Sequence, residues 1–162
     1  MKSKILVASL LTTALGFADA ADIEISNIYA KATLPGAKNT ALFFEIKNYT
    51  NKPVKLIGAS SPAAAISEIH THQEVDGMKK MVQIDDIEIA PESTVSLEPG
   101  GLHVMLMNIK APIKEGDKLE AVLEFDNGEK IEIKDIVAKP VMAKKEGGHD
   151  HGGHMDMSKQ KH

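Results

Sequence analysis

The 162-residue sequence contains no cysteine, and this absence excludes several kinds of protein. Without cysteine the fold has no disulfide, and no thiolate is available as a nucleophile or as a metal ligand. Blue-copper electron carriers are excluded as well, because their copper is bound by a cysteine thiolate. Any soft metal ion would have to be bound by thioethers, and the chain has 8 Met.

Arginine and tryptophan are also absent, and every basic residue is a lysine. Arginine supplies the forked contacts to phosphates and base edges that nucleic-acid recognition usually exploits. With a formal net charge of -4, the chain is not expected to bind nucleic acid. No arrangement of Ser, His and Asp and no Gly-x-Ser-x-Gly motif indicates a hydrolase. We therefore predict a binding protein and not an enzyme.

The first twenty residues have the layout of a secretory signal peptide. Two lysines precede an apolar run at residues 5–17, and the segment ends in Ala-Asp-Ala, a small-residue cleavage pattern. The run is too short to span a bilayer. We predict a signal peptide at residues 1–20, a periplasmic location and no stable membrane insertion after cleavage. The alternative is an uncleaved anchor, which would leave the same domain on the same side of the membrane.

Residues 21–140 alternate between short β-rich runs and turn sequences such as Asp76-Gly77 and Pro99-Gly100-Gly101. The strands predicted from these runs are 23–30, 41–48, 54–60, 66–73, 80–84, 94–97, 102–109, 119–125 and 130–137. No part of this region has a sustained helical period. The pattern predicts one all-β domain at 21–140, an antiparallel sandwich or barrel.

Histidine and methionine alternate with aliphatic residues in the strand predicted at 102–109. Successive side chains of a strand point to opposite faces, so His103, Met105 and Met107 share one face. The Cα atoms of residues two apart are roughly 6 to 7 Å apart. The imidazole of His103 and the thioether of Met105 can therefore reach one ion.

A second group of candidate ligands lies in the segment at 66–84. Asp76-Gly77 is a favoured two-residue hairpin loop. With that loop, Met81 lies directly opposite His72 and diagonal to His70, all on one face. A one-residue slip would send Met81 to the other face.

Two imidazoles and two thioethers form a mixed site that suits copper(I), because soft sulfur selects this ion and imidazole tolerates it. Methionine is most often a core residue, and we favour that interpretation for Met107 and Met142. The sequence leaves both exposure and ligation open for Met78. His72 taken alone is more often a hydrogen-bonded surface residue than a ligand.

The spacing of these residues resembles the H-x10-M-x21-H-x-M signature of the periplasmic copper chaperone family PCuAC. Ten residues separate His70 from Met81, twenty-one separate Met81 from His103, and one separates His103 from Met105. The blocks at 23–44, 97–117 and 123–133 also resemble that family, so the resemblance covers residues 23–137.

The resemblance implies a cupredoxin-like Greek-key β-barrel or sandwich that binds copper(I) through His70, Met81, His103 and Met105. It also implies delivery of copper to the CuA centre of cytochrome c oxidase, through the oxidase subunit that carries CuA or its assembly factor. We expect a monomer. Many relatives have methionine two residues after the first histidine, where this chain has His72. His72 is thus an additional candidate ligand that would make the site harder.

After Pro140 the sequence becomes rich in glycine, histidine and charge, which predicts a flexible tail at residues 141–162. Several imidazoles on such a tail could bind a borderline ion such as copper(II), nickel or zinc. The candidate ligands of this tail site are His149, His151, His154, Met155 and Met157. The alternative is a solvated tail with incidental metal affinity.

Two other functions remain open at this point. The protein could be a periplasmic copper buffer that confers copper resistance without a dedicated acceptor. It could also scavenge zinc or nickel, in which case metal binding would survive replacement of Met81 and Met105 by leucine.

Overall fold

The computed structural model describes residues 21–140, and their regular structure consists entirely of β-strands. The ten strands are β1 (Ile23–Lys31), β2 (Asn39–Asn48), β3 (Val54–Ser60), β4 (Ala64–Val75), β5 (Met78–Gln83), β6 (Ile87–Ile89), β7 (Thr94–Leu97), β8 (His103–Ile109), β9 (Lys118–Phe125) and β10 (Lys130–Lys139). All the predicted strands are present, and their ends differ from the prediction by at most two residues. Residues 21–140 include no helix that is long and apolar enough to cross a membrane.

The strands form two layers that are joined along one edge. Hydrogen-bonded neighbours follow the order β5-β4-β8-β2-β1-β10-β9-β3-β6, and β7 pairs with β2. The short parallel pairing of β1 with β10 links the layers, and the other strand pairs are antiparallel. The neighbours β4 and β8, like β3 and β9, are remote along the chain, as Greek-key connections require. The predicted all-β sandwich is confirmed.

The hydrophobic core lies between the two layers. Strand β9 shows the expected alternation, since its buried residues are every second one from Leu119 to Phe125. Phe44 and Leu42 of β2 pack into the same core from the other layer. In β8, Val104 and Leu106 are fully buried in this core. The residues that alternate with these two, such as Met105, therefore project from the outer face of their layer.

Candidate metal centre

Three adjacent strands bring the candidate ligands onto that outer face. Strand β4 lies between β5 and β8. His70 of β4 is paired with His103 of β8, and His72 of β4 is paired with Met81 of β5. Directly opposite residues in antiparallel strands project from the same face, and so do residues two apart on one strand. Both pairs therefore lie side by side on one surface, and Met105 follows His103 on it.

The hairpin loop sets the position of Met81. Asp76 and Gly77 have φ angles of 54° and 74°, the left-handed values that a type I′ turn needs at both central positions. Val75 pairs with Met78 across this turn, and the ladder continues in register to His72 and Met81. The predicted register of the hairpin is confirmed.

A cleft of about 370 Å³ opens on this face. Four candidate ligands line it, namely His72, Met81, His103 and Met105. Its walls come from the chain between β1 and β2, which includes Leu34, and from the turn at Pro99-Gly100. His70 does not line the cleft, but the centroid of its ring lies 5.8 Å from that of His103. The ring of His72 is at 5.4 Å from the same imidazole.

His103 has one nitrogen bonded to the protein and one nitrogen free. Its Nδ1 lies 3.0 Å from the carbonyl oxygen of Gly101. Because a carbonyl only accepts, Nδ1 carries the proton and Nε2 keeps its lone pair. The side chain is 2% exposed, and Nε2 is buried without a hydrogen-bond partner. That lone pair is therefore available to a metal ion.

The pKa of His103 lies below the ordinary histidine value. Burial is the main cause, since it disfavours the cation, and the neighbouring His72 and His70 lower the pKa further. The hydrogen bond to Gly101 acts in the opposite direction and is outweighed. The imidazole is therefore neutral at pH 7, which is the form that binds metals.

His70 differs from His103 in which ring nitrogen is free, since here it is Nδ1. Its Nε2 lies 2.8 Å from a carboxylate oxygen of Glu68, so in the neutral ring Nε2 donates and Nδ1 keeps the lone pair. Nδ1 is buried and has no hydrogen-bond partner. His72 resembles His103, since its Nδ1 lies 3.3 Å from the oxygen of Gly101.

The methionines differ in exposure. Met81 is 45% exposed at the edge of the sheet, and Met105 is half-buried. Met107 is half-buried on the same outer face, so the interpretation of Met107 as a core residue is wrong. Neither Met107 nor the exposed Met78 lines the cleft. Met142 lies outside the described residues.

In the part of the chain that the structure describes, no group of three or more His, Asp or Glu side chains is arranged to hold a metal ion. The thioethers of Met81 and Met105 are the further candidate ligands beside the imidazoles on this face. Thioether and neutral imidazole donors fit copper(I) better than calcium or magnesium, which prefer oxygen ligands.

Sequence reasoning missed three residues that shape this face. Phe43 is buried, and its ring centroid lies 6.1 Å from that of His103. The carbonyl of Gly101 accepts a hydrogen bond from His103, and the carboxylate of Glu68 accepts one from His70. A signal existed for Glu68, which lies two residues before His70 and therefore on the same face of the strand.

Residues 23–137 match the model of a protein family described as "LpqE-like: Putative lipoprotein LpqE-like". The chain belongs to this LpqE-like family. A curated relative from Leifsonia xyli subsp. xyli, named "Putative lipoprotein Lxx21020", is 34% identical over 107 residues. The match covers 65% of this chain and 63% of the relative. The chain thus spans less than two thirds of the length of that curated relative.

Two solved structures relate this LpqE-like chain to copper proteins. A copper-bound PCuAC domain from PmoF2 is 27% identical, with a TM-score of 0.62, over 74% of this chain and 95% of that domain. The solution structure of CuI-DR1885 from Deinococcus radiodurans is 28% identical, with a TM-score of 0.57, over 76% of this chain and 82% of that one. The resemblance to PCuAC and the cupredoxin-like fold are confirmed.

Two predicted segments of the LpqE-like chain lie outside the described residues. One is the signal peptide at 1–20, and the other is the tail at 141–162. The candidate tail ligands are in the second segment, namely His149, His151, His154, Met155 and Met157. Both segments stay predictions.

Proposed function

We propose that this LpqE-like protein is an exported copper chaperone. In this proposal it binds one copper(I) ion through His70, Met81, His103 and Met105 and passes it to a respiratory oxidase copper centre or to an assembly factor of that centre. It would act as a metal carrier and not as an enzyme. A copper-bound PCuAC domain of similar fold supports copper binding. The predicted signal peptide and a relative named as a lipoprotein support export.

One observation carries the proposal. Nδ1 of His70 and Nε2 of His103 are both buried and lack hydrogen-bond partners. A buried polar atom that finds no partner costs about 1–3 kcal/mol and calls for an explanation. Two such lone pairs on one face, with the thioethers of Met81 and Met105 beside them, are explained by a soft ion that all four side chains bind.

Transfer of the ion is supported by the position of Met81. Its side chain lies on the edge strand and is about half exposed. A thioether is a neutral ligand that carries no proton at physiological pH, so its release requires no proton uptake. We infer that an acceptor ligand replaces Met81 first, while the buried His103 still holds the copper.

His72 is a fifth candidate ligand in this proposal. It lines the cleft, whereas His70 lies beside it. With His72 as a third imidazole, the site would bind copper(II) more strongly than a site with methionine at that position. Replacing His72 with methionine should therefore weaken copper(II) binding and leave copper(I) binding within a few-fold of the original.

The test is a copper(I) competition titration under reducing conditions. The wild-type protein should bind one copper(I) tightly, and the single substitutions H70A, M81L, H103A and M105L should each weaken binding. Zinc affinity should be low and should not depend on the two methionines. Tight zinc binding that survives M81L and M105L would instead support a zinc scavenger.

Delivery is tested in the host cell. Deletion of the gene should reduce oxidase activity when copper is scarce, and added copper should restore it. Sensitivity to excess copper with normal oxidase activity would instead indicate a copper buffer that confers resistance.

The tail is proposed to capture copper(II) or to raise the local copper concentration through its histidines and methionines. Truncation after Val141 should then lower the copper(II) stoichiometry and leave the copper(I) site intact. Unchanged copper(II) stoichiometry would contradict a role for the tail.

A further inference from the structure

Glu68 is a carboxylate placed within the candidate centre and is not one of its proposed ligands. It lies on β4 directly opposite Met105 of β8. Its Oε2 is 2.8 Å from Nε2 of His70, and the side chains of Glu68 and His70 are only 27% and 13% exposed. Partial exclusion of water makes this hydrogen bond stronger than an equivalent bond on an open surface.

The bond to Glu68 selects one tautomer of His70. A neutral imidazole free in water can carry its proton on either nitrogen. A carboxylate can only accept, so it holds the proton on Nε2 and leaves the lone pair on Nδ1, the atom that is buried without a partner. A ring without this bond could rotate or change tautomer, and Nδ1 would no longer be presented reliably.

Charge gives Glu68 a second effect. The four proposed ligands are neutral, so bound copper(I) would leave one positive charge on a face that is partly shielded from water. Burying an uncompensated charge is unfavourable. The carboxylate of Glu68, one imidazole away, offsets that charge.

We propose that Glu68 is the positioning residue of the centre, which fixes His70 so that it binds copper(I) through Nδ1. His103 would bind through Nε2, because the carbonyl of Gly101 holds its Nδ1 proton. The two imidazoles thus use different nitrogens, each set by its own hydrogen-bond partner. This inference rests on the proposed copper(I) function and adds which atom of His70 binds and what holds it there.

The experiment compares Glu68→Gln and Glu68→Ala in the full-length protein. A Gln carbonyl oxygen can still accept the proton of His70 Nε2, although it carries no charge. The matched control is Glu74→Ala, which removes an exposed carboxylate from the same strand and the same face, opposite Lys79. Unfolding midpoints of all four proteins establish that each is folded.

The first readout is the tautomer of His70 in the metal-free protein, measured by 15N NMR of the imidazoles at pH 8. Wild type, Glu68→Gln and the control should show His70 with its proton on Nε2. Glu68→Ala should show a mixture of tautomers. A wild-type His70 with its proton on Nδ1 would overturn the inference.

The second readout is copper(I) affinity, measured by competition. Loss of a partner that orients a metal-bound histidine typically costs 10–100-fold in affinity. Glu68→Ala should fall in that range, Glu68→Gln should lose less, and Glu74→Ala should bind as wild type does. Equal affinities of wild type and Glu68→Ala would overturn the inference, whereas a wild-type protein that binds no copper(I) would overturn the proposed function and leave the tautomer result valid.

Discussion

The imidazole of His103 illustrates how single residues shape the candidate centre. Its ring is excluded from water, one nitrogen is tied to the carbonyl of Gly101, and the other has no partner. Burial keeps the ring neutral, and the carbonyl decides which nitrogen carries the proton. In the proposed centre, this ring would need neither the loss of a proton nor a change of tautomer to bind copper(I).

The thioether of Met105 can be separated from its neighbour Met107 by substitution. Both residues lie on the outer face of β8, but only Met105 lines the cleft. We expect M105L to weaken copper(I) binding at least tenfold, because leucine has nearly the same volume and no sulfur. M107L should bind copper(I) as wild type does, and an equal loss in both variants would show that sulfur position is irrelevant. A competition titration measures both.

The lowered pKa of His103 predicts how stability depends on pH. In the unfolded chain the imidazole takes up its proton near pH 6.5, whereas in the folded protein it does so only at lower pH. Below pH 6.5 the unfolded state therefore binds more protons, and the free energy of unfolding should fall as the pH drops from 7.5 to 5.5.

The control for this pH effect is His103→Asn, whose amide can still donate to Gly101. His70, His72 and Glu68, which lie around His103, are kept in both proteins. Urea denaturation of the metal-free proteins should give a smaller loss of stability between pH 7.5 and 5.5 for the variant. Equal losses in the two proteins would mean that His103 does not contribute to the pH dependence of stability.

Sequence reasoning predicted which candidate ligands share one face of the sheet but not their hydrogen bonds. Strand alternation alone put His103 and Met105 on one face, because the two-residue period depends only on the backbone. The partners of the ring nitrogens depend on side-chain rotamers and on a neighbouring turn. Gly101 could therefore be identified only from the folded chain, whereas Glu68 could be placed on the same face as His70 from its position two residues before it.

At the scale of elements, the β4–β5 hairpin decides whether Met81 can belong to the proposed centre. The loop of Asp76 and Gly77 determines which face Met81 occupies. This register was predictable, because few residue pairs other than Asn-Gly and Asp-Gly tolerate two successive positive φ angles.

Substitution of Gly77 tests the role of this turn. Gly77 has a φ of 74° and no atom within 4 Å of an added Cβ, so Gly77→Ala introduces backbone strain and no clash. Gly128→Ala is the matched control, since Gly128 has a φ of 88° in the β9–β10 turn and equally open surroundings. Each should cost about 1–2 kcal/mol of stability, measured by urea denaturation.

Copper(I) affinity distinguishes the two turns. Gly77→Ala should reduce it several-fold, because strain in the turn loosens the edge strand that carries Met81. Gly128 lies in a hairpin that contributes nothing to the cleft, and Gly128→Ala should leave copper(I) affinity unchanged. Equal affinities in both variants would show that the hairpin register does not limit binding.

Other features at the scale of elements escaped prediction. Strand β6 has three residues, too few to show an alternating pattern, and it is defined by its pairing with β3. The cleft walls come from the chain near Leu34 and from the turn at Pro99. The sequence identified the turn at Pro99, but the positions of both segments over the sheet depend on tertiary packing.

At the scale of the whole molecule, a hydrophobic core supports the candidate centre without any disulfide. This core joins residues of both layers, such as Phe44 and Phe125, and leaves the outer face of β4, β5 and β8 free to carry polar ligands. The fold class was predictable because the alternating runs extend through most of residues 21–140. Which strands would be neighbours was not, because pairs such as β4 and β8 are remote in sequence.

Binding to the folded state alone should stabilise the whole molecule. At a free copper(I) concentration a hundred times the dissociation constant, the gain is about 2.7 kcal/mol. For a domain of this size we expect an increase in Tm of roughly 10 °C. The double variant M81L/M105L should show a much smaller increase. A calorimetric scan with and without copper(I) measures this, and equal shifts in both proteins would place the stabilising ion elsewhere.

The most direct measurement is X-ray absorption of the copper(I)-loaded protein, made on the full chain and on a chain that ends at Val141, which removes the tail methionines. We expect two sulfur and two nitrogen scatterers around copper in the shorter chain, with one sulfur lost in each of M81L and M105L. A copper shell with no sulfur, or sulfur that persists unchanged in the M81L/M105L double variant, would contradict a centre built from His70, Met81, His103 and Met105.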